Sequence, residues 1–266
     1  MKLRFAITLI FAVALFSSCS DLGLDSSSLL VGDNISEFYV KGEVIKANPY
    51  TYQKELAVDI KDIRPADRMA FFALPEDVMS EMNAIDLAVT AIFYYPYAKL
   101  HPYVYNSPFS ILGNHTKSYN GFLRLAEMKD AGKSLLSILE AMDFSTSSGK
   151  AFMYIKSSNS FNNLFFQTYM LAVLAQDTFV SIMTKEEQTY LLNLVNERID
   201  YKKKNPDNGP ELCHIYAVKA RIGLQFENLS QDDTDFLELF IYRAGSVSII
   251  DQDEFTRVDQ IVDMNN

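Results

Sequence analysis

The sequence predicts an all-α fold, a multi-helix bundle or short helical stack of about seven helices, with a small irregular or β element at 37–63. Three observations predict it. Cap residues with acids behind them recur along the chain, as in Pro75-Glu76-Asp77, Asn83-x-x-Asp86, Thr184-x-x-Glu187 and Ser230-x-x-Asp233. Such residues satisfy or complement the unbonded N–H groups of a first helical turn. Apolar residues then repeat at intervals of three and four. Gly and Pro number only 10 and 8 in 266 residues, so few positions interrupt a helix. An apolar fraction of 48% with 22% charged residues gives enough core for one substantial domain or two small ones.

Early in the chain, Phe38-Tyr39-Val40 and Val44-Ile45 favour strands, whereas 52–63 suits a helix or a strand. Pro75 opens a helix through its fixed φ, with Glu76 and Asp77 against the positive pole. Asn83 opens the next, which Pro96 ends after Tyr95. Further helices are predicted over 116–128 and 130–142, the second with Leu135, Leu136, Ile138 and Leu139 facing inward.

Residues 160–183 form the most apolar predicted helix. The stretch 169–175 has no charged or amide side chain for two turns, so this helix is expected at the centre, buried on all sides. Gln167, Gln176 and Asp177 argue against its spanning a membrane. Thr184 and Glu187 make a capping box for a helix with Leu191, Leu194, Val195 and Ile199 on one face. Lys202-Lys203-Lys204 suits its negative pole, and 205–210 stops it, so the lysine run reads as a helix terminus. Two more helices are predicted over 210–226 and 230–244, with Gly245 placed for a left-handed cap. The acidic 251–266 reads as a frayed tail. No internal repeat period stands out.

The first 18 residues read differently. Lys2 and Arg4 precede a 12-residue apolar run, Phe5 to Phe16, broken only by Thr8, and Ser17-Ser18-Cys19 follows. That order is a secretory signal, and the run falls short of the ~20 residues that a span needs. Phe16-Ser17-Ser18-Cys19 resembles the lipobox of bacterial lipoproteins, with Phe16 where Leu is usual. The resemblance implies that the Cys19 thiol receives a diacylglyceryl group and becomes the N-terminus after cleavage. The competing reading is an ordinary cleaved signal that contains a cysteine.

The domain plan that follows is a signal peptide over 1–18, a lipid-anchored flexible tether over 19–36, a single helical domain over 37–250 and the acidic tail. The expected location is the cell envelope, anchored through Cys19, at the outer membrane of a Gram-negative bacterium. Asp21 and Asp25 stand loosely like the acidic export signals of Bacteroidetes surface lipoproteins. Losing Lys2 and Arg4 with the signal leaves 22 basic against 34 acidic residues, a net charge of −12. Such a surface repels phosphates and disfavours nucleic acid as a partner. Cys19 and Cys213 allow one disulfide at most, and none once Cys19 is lipidated.

A second resemblance rests on Leu74-Pro75-Glu76-Asp77-Val78 with Met82, then Tyr95-Pro96, Tyr105-Asn106, Asn120-Gly121-Phe122 and Asp130-Ala131 with Leu135-Leu136. Over about 75–142 the chain resembles an uncharacterised family of exported helical proteins known mainly from Bacteroidetes. A Glu-Leu and an Arg usual in that family are replaced here by Arg124-Leu125 and Met128. The resemblance implies an all-helical fold and an exported location, and it implies no activity.

Candidate chemistry is sparse. His101, His115, His214 and Cys213 lack the paired spacing of zinc ligands, and adjacent Cys213 and His214 point about 100° apart on a helix. No metal or other cofactor is therefore predicted. Glu76-Asp77, Glu186-Glu187 and Asp232-Asp233 with Asp235 fall in first turns, where the helix dipole explains them. Asp251-x-Asp253 begins like a calcium loop, but Thr256 replaces its Gly and Val262 its final Glu. No Gly-x-Ser-x-Gly elbow or phosphate-binding Gly-rich loop is present. The most distinctive local feature is aromatic, with Tyr94, Tyr95, Tyr97, His101, Tyr103 and Tyr105 punctuated by Pro96 and Pro102. These rings suit a protein or glycan partner, or the packing of a bend between helices. The expected function is a non-catalytic envelope binding or interaction module. The alternative is a carboxylate-dependent hydrolase acting on envelope or dietary polymers, which requires a deep pocket with two carboxyl groups.

Overall fold

Strand β1 (Glu37–Val40) and strand β2 (Glu43–Lys46) pair antiparallel, with Val40 opposite Glu43 and Glu37 opposite Lys46. Lys41 and Gly42 join them with φ of 50° and 85°, the doubly positive combination that matches the twist of a two-residue hairpin. Phe38 is buried while the cross-strand pair Tyr39 and Val44 faces solvent. This is a computed structural model, and it describes residues 37–52, 62–64, 67–94, 113–145, 164–245 and 249–265. All of them lie in the unit Asp33–Asn266.

Eleven α-helices and one π-helix, with a helical turn at 113–115, make up most of the remaining regular structure among the described residues, so the fold is all-α with one small hairpin. The count exceeds the expected seven because several helices are short. They begin with α1 (Arg68–Phe71), α2 (Glu76–Glu81) and α3 (Ala84–Val89). Pro75 sits at the N-cap of α2, one place earlier than a first-turn proline. Asn83 Oδ1 accepts from Asp86 N at 3.0 Å and Asp86 Oδ2 from Asn83 N at 3.4 Å, which is the capping box of α3. The chain then widens into a π-helix, Thr90–Tyr94. Asp86 Oδ1 also accepts from Asn48 N at 2.6 Å, and Thr90 Oγ1 from Tyr50 N at 2.9 Å. The backbone leaving the hairpin is thereby bonded to side chains on the helix rather than to another strand.

The helix expected over 116–128 is interrupted. Residues 116–118 form a turn, and α4 (Asn120–Ala126) starts after Tyr119, whose ψ of 123° is extended. Tertiary contacts override local propensity here. The Tyr119 hydroxyl lies 2.5 Å from that of Tyr52, and the Asn120 amide exchanges two 2.9 Å bonds with the backbone of Leu74. Helix α5 (Ala131–Ala141) matches its expectation, with Leu135, Leu136, Ile138 and Leu139 buried.

The expected helix 160–183 is also divided. Helix α6 (Leu164–Leu174) has ten of its eleven residues buried, and α7 (Asp177–Val180) follows after an extended Gln176. Arg221 Nε donates to Ala175 O at 2.9 Å, satisfying a carbonyl at the break. Among the described residues no helix is long and apolar enough to cross a membrane.

Helix α8 (Lys185–Lys204), α9 (Leu212–Gly223) and α10 (Gln231–Ala244) follow. Gly245 departs from expectation, because its φ is −84° and its N–H still bonds to Ile241 O. The larger correction concerns the C-terminus. Instead of a frayed acidic tail, 252–265 forms α11 (Gln252–Asn265), with Phe255, Val258, Ile261 and Val262 buried. Asp251 Oδ1 accepts from Glu254 N, and Glu254 Oε2 from Asp251 N, both at 3.0 Å. The acids that suggested a disordered tail are partly a helix cap. Helix α9 is the hub, packing against α6, α8, α10 and α11, so the centre is shared with α6 rather than held by it alone.

Candidate functional site

The longest helix, α8, is fixed at its start. Thr184 Oγ1 accepts from Glu187 N at 3.2 Å, and Glu187 Oε2 from Thr184 N at 3.0 Å. Leu191, Leu194, Val195 and Ile199 then point into the core, so Lys185, Thr189 and Asn193, at four-residue spacing, share the outer ridge.

A cleft of about 320 Å³ runs along one side of this ridge. Leu192 and Ile222 are buried at its floor, with Phe226 half-buried beside them. Gln188, Thr189, Asn228 and Asn265 add amide and hydroxyl groups, and Lys185 and Glu227 add one charge of each sign. Three distant parts of the chain meet here, since Asn228 lies beyond α9 and Asn265 ends α11. Much of this lining is held in place. Gln188 Nε2 donates to Val180 O at 3.0 Å and Met183 O at 3.3 Å, Lys185 Nζ to Gln225 O at 3.4 Å, and Asn265 Nδ2 to Ile261 O at 2.7 Å.

A second cleft, of about 400 Å³, lies on the other side and is bordered by Lys185, Glu186, Thr189, Tyr190 and Asn193. Lys185 and Thr189 border both clefts. Behind the second, Lys41 Nζ sits 4.3 Å from the Tyr190 ring centroid and 3.4 Å from Glu140 Oε1. Burial, and then the neighbouring Glu140 carboxylate, raise the Tyr190 hydroxyl above its ordinary pKa, and its oxygen is buried. The Glu186 carboxyl is held below its usual range by its own backbone N–H and then by the Thr184 hydroxyl. Each cleft is bordered by a single carboxylate, Glu227 or Glu186. The first cleft therefore offers hydrogen bonding over an apolar floor, and the second a polar face of α8 beside the Tyr190 ring.

The residues singled out by the sequence fare unevenly. Cys19 and the aromatic positions Tyr95, Tyr97, His101, Tyr103 and Tyr105 lie outside the described residues. Tyr94 closes the π-helix with its backbone, and Phe93 before it is buried, its ring 5.0 Å from that of Phe166. His115 is buried edge-on to Tyr169. His214 is held near pKa 4 by burial and then by Lys202, and burial pushes the Cys213 thiol up to about 11. Among the described residues no three His, Cys, Asp or Glu side chains gather to hold a metal ion.

The acidic first turns serve local structure. Glu187 caps α8, Arg257 pairs with Asp232 and Asp233, and Gln231 bonds Asp235. The lysine run closes a loop, for Lys202 Nζ donates to Asn208 O at 3.0 Å and Gly209 O at 3.5 Å, while Lys203 reaches Asp259. The polar ridge of α8 was legible as a solvent face. The participation of Phe226, Asn228 and Asn265 had no local signal, because they converge only through packing on α9.

Comparison with family models, with curated proteins and with solved structures returns no match for this chain.

Proposed function

We propose that this chain is an exported lipoprotein, anchored through Cys19 in the outer membrane of a Gram-negative envelope, whose helical body is a non-catalytic binding module. The anchor rests on the charged start, the apolar run and the Ser17-Ser18-Cys19 junction. Acyl chains hold such a protein firmly at ~0.8 kcal/mol per buried methylene. The likeness of 75–142 to exported helical proteins of Bacteroidetes agrees with that reading.

The observation that carries the binding role is the first cleft, where Gln188, Thr189, Asn228 and Asn265 surround a floor that includes half-buried Phe226. A few convergent polar groups over an apolar floor are what a small-ligand site needs, and its volume falls at the small end of such sites. The ligand is uncharged and polar, since Lys185 and Glu227 offset each other.

Two measurements test this. Mass spectrometry of the native product should find Cys19 as a diacylglyceryl-modified N-terminus, and an unmodified thiol would refute the anchor. Capture of uncharged saccharides and peptides on the full chain should be lost in a Phe226→Ala, Asn228→Ala double variant that keeps its helical circular dichroism. Undiminished capture would remove the cleft from the function.

A further inference from the structure

We infer that the two clefts are subsites of a single site, occupied by one uncharged oligosaccharide that crosses the ridge of α8 over Thr189. This rests on the binding-module reading and gives it a ligand class. Thr189 and Lys185 border both clefts, so a chain leaving one enters the other without meeting a separate wall. Crossing a helix with its side chains means spanning ~10–12 Å, more than a single sugar ring covers.

The lining selects the class. Each side offers one half-buried aromatic ring, Phe226 or Tyr190, and at least one amide, Asn228 or Asn193. A ring against the C–H face of a sugar and an amide that both donates and accepts match a pyranose bearing neighbouring hydroxyls. Across the joined site one lysine, Lys185, faces two carboxylates, Glu186 and Glu227, which disfavours an anionic ligand and admits a neutral one.

An extended peptide would seek a free strand edge, and a helical one an apolar groove at i, i+3, i+4 spacing. The first cleft is walled by helices and a loop, with amides interrupting its apolar floor, and the second is a shallow face of α8 alone. The observations thus favour saccharide over peptide.

The test is calorimetry on the full chain in a detergent without a sugar headgroup. The probes are neutral gluco-, manno- and xylo-oligosaccharides of increasing length, with polygalacturonate fragments and Gly-Ser peptides as comparisons. Affinity should rise with length until both clefts are filled. Asn228→Ala and Asn193→Ala should each weaken a long ligand about tenfold. Thr189→Trp, which blocks the ridge, should return long ligands to the affinity of short ones while circular dichroism stays helical.

Failure of every neutral saccharide to bind, affinity independent of length, or tighter binding of the polygalacturonate would overturn the inference. Should the peptide bind instead and be lost on cleft substitution, the oligosaccharide inference falls and the binding-module reading stands. Saccharide binding indifferent to all three substitutions sinks both.

Discussion

Lys219 Nζ on α9 lies 2.7 Å from Asp259 Oδ1 on α11, and the lysine side chain is only 4% exposed. Asp263 Oδ1 approaches the same ammonium at 3.0 Å, and the Tyr216 hydroxyl donates to Asp259 Oδ2 at 2.7 Å. The central helix therefore carries a buried cation whose counter-charges both come from the last helix. Removing Asp259 leaves the buried ammonium with only the exposed Asp263 to compensate it, a larger loss than removing the charge that needed burial. Asp259→Ala is expected to destabilise by about 2–4 kcal/mol, and Lys219→Met by clearly less, because the freed carboxylates can turn to water. Urea unfolding of the two variants checks the order, and equal losses would count against it.

Deleting 252–265 should be far more damaging than trimming a tail. Phe255, Val258, Ile261 and Val262 are buried, and at about 1.5–3 kcal/mol each their loss rivals the whole stability of a typical domain. The shortened chain is expected to lose cooperative unfolding, and a sharp thermal transition near that of the full chain would contradict this.

His214 sets part of the acid sensitivity. Burial, then Lys202, holds its folded pKa near 4 against an ordinary 6.5. Between those values the unfolded chain binds a proton that the folded chain refuses. The stability is therefore whole above pH 6.5 and is lost progressively as pH falls toward 4, by about 3 kcal/mol. His214→Gln should remove that portion of the slope. Denaturant midpoints of both proteins at pH 7, 5.5 and 4 test it, and parallel profiles would show another origin.

Gly209 adopts φ +70°, and a Cβ there would stand 2.7 Å from the backbone oxygen of Phe144. Gly209→Ala combines a strained backbone with a clash that no flexible side chain can relieve. It should cost about 2 kcal/mol or more, read as a lowered Tm. The same substitution at Gly42, whose φ is +85° with nothing within 4 Å, carries the backbone strain alone and should cost less.

What could be read from the primary structure followed from forces acting over a few residues. The capping boxes at Asn83 and Thr184 appear as expected, and so does the Ser230 cap, because a side chain bonding the third N–H beyond it needs no distant partner. The inward face of α5 appeared for the same reason, as helical spacing alone brings its leucines together. Even α11 was legible, since Asp251-x-x-Glu254 followed by Phe255, Val258 and Val262 is a cap before a periodic face. Its acidity is that of a frayed tail, but the helical period of its apolar residues gives it a face to bury.

Tertiary structure decided what local pattern could not. The breaks at Tyr119 and Gln176 occur in sequence that favours helix, since Tyr52, Leu74 and Arg221 supply partners that make an interrupted backbone affordable. The first cleft beside α8 exists only because packing brings α9, the loop after it and the end of α11 to the same helix face. By itself the sequence determined the helical class and most helix starts, through bonds spanning one turn. Packing determined where helices stop and which surfaces meet, because those depend on groups that approach only once the chain has folded.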